Sequence, residues 1–304
     1  MKKFTSQEIK EFVSKPMFDE KIIINKDPSW PKISIVTPSY NQAEFLERTI
    51  LSVLNQNYPN LGYIIIDGGS TDGSVEIIKK YEKYLVYWVS EKDKGQSDAI
   101  NKGFLKATGD IVGWQNSDDI YLPGAFEKVV QVFSKFPNIT IVFGSSLMID
   151  VHDNKIGENR FTPFSVMNHF YGGTSSINNQ GCFWRSGMFS RIGMLDTQFH
   201  FSMDSEFFLR AGVKGEKFKY VHSFLACSRI HKDSKSSTIP WVSMNNNKTI
   251  EAIYGGKASL GSIMKMISVL RGVIYYFIQG DCGYVLNGFK KRVKSYFWEH
   301  AQKD

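Results

Sequence analysis

Apolar and polar positions change period repeatedly between residues 33 and 144. ISIVTP (33–38) and YIIID (63–67) are short, nearly unbroken apolar runs, the pattern of strands covered on both faces. YLVYWVS (84–90), DIVGW (110–114) and ITIVFG (139–144) repeat that pattern less cleanly. Between them lie AEFLERTILSVLNQ (43–56), SVEIIKKYEK (74–83), SDAINKGFLKA (97–107) and residues 125–136. These place apolar side chains three and four apart, as amphipathic helices do. Strands alternating with helices predict an α/β domain with a mostly parallel central sheet flanked by helices. Such sheets bind ligands beyond the carboxyl ends of their strands.

The flanks read differently. Residues 1–31 predict an N-terminal leader ending in Pro28-Ser29-Trp30-Pro31. Residues 152–181 are polar, rich in Gly and Asn and poorly periodic, which predicts a mobile loop over the site. SEFFLRAG (205–212) predicts a short helix stopped at Gly212. From Trp241 the pattern is helical to the end. Winding Ile263 to Gln279 at about 100° per residue gathers Lys265, Ser268, Arg271, Gly272 and Gln279 on one arc. Ile263, Met266, Ile267, Val269, Leu270, Val273, Ile274, Phe277 and Ile278 fill the opposite side. The expected organisation is a leader (1–31), a catalytic domain (32–238) and a helical basic C-terminal region (239–304).

Composition sharpens this picture. With 304 residues, 42% hydrophobic and 22% charged, the chain can bury a sizeable core. Its three cysteines form neither a metal-ligand pair nor a disulfide framework, which points to a reducing, cytoplasmic compartment. Lys2 and Lys3 are followed by polar residues rather than a signal sequence, and no apolar run approaches the ~20 residues of a membrane span. The net charge is +7, yet from Lys257 onward eight Lys/Arg face only three Asp/Glu. Lys290, Lys291, Arg292 and Lys294 precede Tyr296, Phe297 and Trp298, a combination suited to lipid headgroups. The C-terminal region is therefore expected to dock peripherally on a membrane surface without crossing it. Packing of its apolar face on the catalytic domain, or against a second copy, is the alternative. No nucleic-acid partner is expected, because the charge lies outside the α/β region and no binding motif is present.

The chain has no G-x-G-x-x-G after its first strand and no G-x-x-x-x-G-K-[ST], which removes the main support for dinucleotide and P-loop chemistry. Instead, acids stand at strand ends: Asp67, Asp93, Asp118 and Asp119. Each alone reads as a turn or cap residue. Four together at the ligand-binding edge repel one another unless a cation joins them. Mg²⁺ and Mn²⁺ suit carboxylate, phosphate and water.

TPSYN (37–41), IDGGSTDGS (66–74), SEKDKGQSDAINKG (90–103) and NSDD (116–119) occur in this order and spacing. Together they resemble the inverting family 2 glycosyltransferases, over about residues 32–232 by pattern reading. The resemblance implies the GT-A (nucleotide-diphospho-sugar transferase) fold and a metal-dependent transferase of the hexosyltransferase class, using Mn²⁺ or Mg²⁺. It implies a nucleotide-sugar donor, a UDP-sugar by family frequency, and a glycan acceptor carried on a lipid diphosphate. The expected setting is synthesis of a surface polysaccharide such as O-antigen, capsule or exopolysaccharide. Two alternatives are a nucleotidyltransferase and a non-catalytic protein that binds sugar nucleotides or glycans.

Position by position, the resemblance puts Pro38 and Tyr40 along the nucleotide base and has Asp67 accept from it, while Asp72 orders the next turn. Lys94 and Asp98 border the donor. Asn116 stands where the first Asp of a D-x-D motif is usual; it keeps hydrogen bonding to a ribose hydroxyl and removes a charge. Ser117 lies within that donor segment. Asp118 matches the last acid of the motif and would bind the metal, with Asp119 supporting it or touching the sugar. MDSEFFLRAG (203–212) resembles the segment whose first acid deprotonates the acceptor, making Asp204 the catalytic base and Glu206 the lesser candidate. SRIHKDSKS (228–236) resembles a loop in which His231 ligates the metal or holds the diphosphate, with Arg229 beside it. NQGCFW (179–184) looks like the strand behind the acceptor site, with Cys182 as small packing.

Overall fold

A computed structural model of the chain describes residues 1–171, 177–199, 201–232, 234, 249–250, 253–254 and 261–286. Nine strands form one sheet: β1 Ile33–Ser39, β2 Leu61–Asp67, β3 Tyr87–Ser90, β4 Ile111–Trp114, β5 Ile120–Tyr121, β6 Ile141–Ile149, β7 Lys155–Asn159, β8 Cys182–Arg185 and β9 Phe218–Arg229. Their order is β3-β2-β1-β4-β8-β6-β9-β5, with β7 on the outside of β6. β1 to β4 are parallel, and β6 and β9 are parallel to each other. β8 runs antiparallel between β4 and β6, and β5 and β7 are antiparallel to their partners. The sheet is thus mostly parallel, as expected.

Helices α1 Ser6–Ser14, α2 Glu20–Asn25, α3 Ala43–Leu54, α4 Ser74–Tyr81, α5 Gln96–Lys106 and α6 Ala125–Lys135 flank the first part of the chain. Then come α7 Val166–Tyr171, α8 Phe189–Ile192, α9 Met203–Val213 and α10 Gly261–Ile278. The alternating side chains of β1 feed two cores. Ile33 and Ile35 pack with Leu46, Ile50 and Phe126 from α3 and α6. Val36, facing the other way, packs with Ile100 and Phe104 of α5 and Phe207 and Phe208 of α9. Helix α5 approaches β1 closely because residue 103 is Gly: a Cβ there would lie 2.3 Å from a Val36 methyl.

Several expectations change. Residues 1–31 do not behave as a separate leader. A capping box joins Thr5 and Glu8 at the start of α1, whose Ile9, Phe12 and Val13 complete a third core with Ile120, Leu147, Ile149 and Phe224. The stretch 152–181 contains β7 and α7 rather than only loop, with residues 172–176 outside the described set. Helix α9 continues past Gly212 to Val213, and the left-handed residue that follows is Gly215 (φ +83°). Strands β6 and β9 run longer than their apolar cores, because each supplies the other's ladder. At the C-terminal end, the predicted helix from Ile263 to Gln279 is present as α10 and residues 282–286 are helical, whereas 241–248 and 287–304 lie outside the described residues.

Candidate active site

The carboxyl ends of β1 to β4 open into a cavity of about 690 Å³. Pro38, Ser39 and Tyr40 line it after β1, Asp93, Gly95 and Gln96 after β3, and Asn116 to Asp119 after β4. A second wall is built from Asn178, Asn179 and Gln180 before β8 and Phe201 to Asp204 at the start of α9, and Ser228 to Ile230 at the end of β9 also line the cavity. The fold therefore brings Tyr40, Asp118 and Asp204, from three distant parts of the sequence, to one space.

The acid pair is set by a short piece of sheet. Ile120 and Tyr121 pair with Cys227 and Ala226, which brings the preceding turn beside Arg229. Thr49 of α3 donates its hydroxyl to the carbonyls of Ser117 and Asp119 at 2.9 and 2.7 Å, fixing the turn from below. Asp119 is buried and heavily bonded. It accepts from the Arg229 backbone N–H at 2.9 Å, the Gln180 side chain at 2.6 Å and Asn116 Nδ2 at 3.3 Å. Its carboxyl is pushed up, first by burial and then by the charge of Asp118. Arg229 is itself buried; its guanidinium donates to the Asp118 and Asp150 carbonyls and pairs with Asp153 at 2.6 Å. Asp153 also holds Arg48 at 2.9 Å. Asp119 is thus a braced acid, while Asp118 is the more open one.

Asp118 Oδ2 lies 3.1 Å from His231 Nε2. The imidazole sits against the Phe45 ring, 4.9 Å between centroids. One carboxylate oxygen and one ring nitrogen converge here, a donor pair that Mn²⁺ accepts readily and Mg²⁺ accepts through the oxygen. Among the described residues no group of three or more His, Cys, Asp or Glu converges. A cation held at this pair would take most of its shell from phosphate oxygens and water, the usual arrangement for ions that serve a phosphorylated substrate. Asn116 accepts from Gln96 Nε2 at 2.9 Å, so the position that lacks the first acid of D-x-D is tied to α5 instead.

Asp204 occupies the other wall, in the first turn of α9. Ser202, two residues earlier, has φ +57°, a left-handed conformation that costs a non-glycine residue free energy. It turns the chain into the helix so that Asp204 lines the cavity. Burial raises the Asp204 carboxyl above its ordinary value, partly offset by backbone N–H groups of Ser205 and Asn179. Glu206 points elsewhere: buried at 2% exposure, it pairs with Arg210 at 2.8 Å and accepts from the Tyr254 hydroxyl at 2.7 Å. Cys182 is a free, fully buried thiol raised by burial, which fits packing rather than nucleophilic attack.

Three residues expected along the donor do not line the cavity. Asp67 is fully buried, and its carboxylate accepts from Gly69 N, Ser70 N, Ser70 Oγ and Ser90 Oγ at 2.5 to 3.1 Å. A carboxylate has about four lone-pair sites, so Asp67 is spent on its own turn. Asp98 accepts from the Lys94 backbone N–H at 3.1 Å and stands 3.6 Å from Lys102, so Lys94 and Asp98 cap α5. The cavity is reached instead by Asp93, whose Oδ2 would stand only 2.7 Å from a Cβ at position 68, where the residue is Gly. Asp72 does order its turn, accepting from Ser74 N and Ala43 N at 3.0 and 2.8 Å. Gln180 lies in the segment NQGCFW expected behind the acceptor site, although the sequence assigns no role to its side chain. It donates to Asp119, while the backbone N–H of its neighbour Asn179 donates to Asp204, so two adjacent residues link the two acids.

Comparison with known proteins places this geometry. The family model described as glycosyl transferase family 2 matches residues 34–197. An uncharacterized glycosyltransferase of Mycobacterium tuberculosis is 33% identical over 190 residues, 61% of this chain and 70% of the relative. TuaG of Bacillus subtilis, provisionally named for teichuronic acid biosynthesis, is 36% identical over 123 residues, 39% of this chain and 48% of the relative. Among solved structures, residues 1–349 of S. aureus TarS in complex with UDP-GlcNAc align with a TM-score of 0.59 at 14% identity, over 78% of this chain and 71% of that one. This chain spans 42% of the longer TarS structure. The mannosyltransferase PcManGT of Pyrobaculum calidifontis, in complex with GDP-Man and Mn²⁺, aligns at 0.53 and 15% identity, over 95% and 93%. At such identities the structural matches speak for the fold, which is GT-A. With a family model matching more than half of its residues, the chain belongs to glycosyltransferase family 2.

Proposed function

We propose that the protein transfers a hexosyl group from a nucleotide-diphosphate sugar, a UDP-sugar by preference, to a hydroxyl of a glycan acceptor with inversion at C1. The observation that carries this reading is one cavity lined by two chemically distinct acids: Asp118, backed by His231, and a half-buried Asp204 whose carboxyl is raised by burial. The nucleotide would lie along Pro38, Tyr40 and Asp93, with Asn116 and Gln96 at the ribose. Asp118 and His231 would hold Mn²⁺ or Mg²⁺, which when bound neutralises charge developing on the diphosphate. Ser117 and Asp119 would shape that wall, Asp119 through its bonds to Arg229 and Gln180.

In the transfer, Asp204 takes the proton of the acceptor hydroxyl. The acceptor oxygen forms a bond to C1 as the bond from C1 to the phosphate oxygen breaks, and that electron pair leaves with the nucleoside diphosphate. A carboxylate with a raised pKa is a better proton acceptor than an ordinary one, and burial supplies the raise. The acceptor is proposed to be a surface-polysaccharide intermediate on a lipid diphosphate, handled on the cytoplasmic side. The name of TuaG supports that setting.

Incubating the purified chain with UDP- and GDP-sugars tests the reading. We expect a UDP-sugar to be consumed in Mn²⁺ or Mg²⁺, consumption to stop in excess EDTA, and a lipid-diphosphate glycan to outcompete free sugars. Undiminished turnover in EDTA would remove the metal. Exchange of pyrophosphate into a nucleoside triphosphate would favour a nucleotidyltransferase.

A further inference from the structure

Helix α10 presents its faces the opposite way from an ordinary surface helix. The side carrying Ser268, Tyr275 and Tyr276 points inward. The buried Ser268 hydroxyl donates to Asn168 Oδ1 at 3.0 Å, Tyr275 packs edge-on to Tyr220, and the Tyr276 hydroxyl donates to the Arg160 carbonyl at 2.8 Å. Just past the helix, Asp281 pairs with Arg160 at 2.5 Å and with His222 at 2.9 Å. These contacts fix the rotation of the helix about its axis.

The side left outside is apolar. Ile263, Met266, Leu270, Ile274, Phe277 and Ile278 are between 49% and 74% exposed. At ~100° per residue they fall within an arc of about 120°. Single exposed apolar side chains are ordinary, whereas a continuous row marks a surface that something covers. Charge chooses the occupant. From Lys257 onward the chain carries eight Lys/Arg against three Asp/Glu, with Lys290, Lys291, Arg292 and Lys294 ahead of Tyr296, Phe297 and Trp298. A second copy would bring like charge against like, while an anionic lipid surface offers the complement. Among the described residues no helix is long and apolar enough to cross a membrane. A helix apolar on one face suits lying in the interface plane.

We infer that α10 seats the domain on an anionic membrane surface, with its exposed row in the acyl boundary. This rests on the helix and its charge and not on the transfer reaction, so it is tested without donor or acceptor. The full chain is mixed with vesicles of phosphatidylcholine, or of phosphatidylcholine containing about one third phosphatidylglycerol, and sedimented. Binding is expected to the anionic vesicles and to be much weaker on the neutral ones. Leu270→Gln with Phe277→Gln, both on the exposed row, should weaken binding at least about tenfold while circular dichroism and Tm stay unchanged. Ile278→Gln alone, at the most exposed position of the row, should weaken it in the same direction. The inference is overturned if wild type ignores anionic vesicles or if the substituted chains bind as wild type does. A dimer in light scattering that the same substitutions dissolve would also overturn it, since the row would then belong to a second copy.

Discussion

Asp118→Ala is expected to lose sugar transfer by at least ~10³-fold while the protein remains folded. Of the two adjacent acids, Asp119 is enclosed and bonded to Arg229, Gln180 and Asn116, so it contributes to the fold of the wall. Asp118 keeps a partly exposed carboxylate, 21% by side chain, directed to His231. Its carbonyl, not its side chain, receives the Arg229 guanidinium, and alanine keeps that bond. The substitution therefore removes the oxygen donor proposed to serve the diphosphate and leaves the supports of the turn in place. Activity assays and thermal melts separate the outcomes. A folded variant with wild-type turnover would exclude Asp118 from the chemistry, and a collapse in Tm would make it a structural acid.

The second large effect is expected at Asp204. Asp204→Asn preserves shape and removes the proton acceptor, so kcat should fall by at least ~10² with donor affinity near that of wild type. The pH profile gives a sharper test. Asp204 must be ionised to act, and burial holds its pKa above the ordinary carboxylate value of about 3.9. The rate is then full above that raised pKa and is lost as pH falls through it, so the acid limb should lie above the usual carboxylate range. In Asp204→Asn this limb should disappear from the residual rate. Asp119 is also raised, and any acid dependence that survives in the variant would belong to it. If kcat is unchanged in Asp204→Asn, the base is elsewhere. Glu206 is a poor substitute, being committed to Arg210 and Tyr254.

Much of this arrangement was legible in the sequence for identifiable reasons. β1 and β2 are covered on both faces, so their apolar runs are unbroken, and the acids after β2, β3 and β4 follow directly from where those runs stop. β5 was not legible because it has only two residues and exists through its pairing with β9. β7, Lys155–Asn159, is a polar strand on the outside of β6 and carries little apolar signal. The place of α1 was not legible because its apolar positions pack on elements distant in sequence, among them β5, β6 and β9. At the cavity, the motifs after β1, β3 and β4 contribute lining residues, but not every side chain expected there reaches it. Asp67 turned inward because Gly69, Ser70 and Ser90 offer it more hydrogen bonds than a ligand would. The bridging position of Asn179 and Gln180 depends on β8 inserting antiparallel between β4 and β6, a tertiary fact that no local pattern announces.

The most direct test of the central claim is the anomeric configuration of the product, followed by proton NMR while a nucleotide sugar is consumed. If Asp204 is the base and the diphosphate is held at Asp118, as proposed, the acceptor would attack C1 from the face opposite the leaving group. The new glycosidic bond is predicted to have the configuration opposite to that of the donor from the first turnover. A product that keeps the donor's configuration would contradict the account, because it would require a second displacement or attack from the leaving-group side.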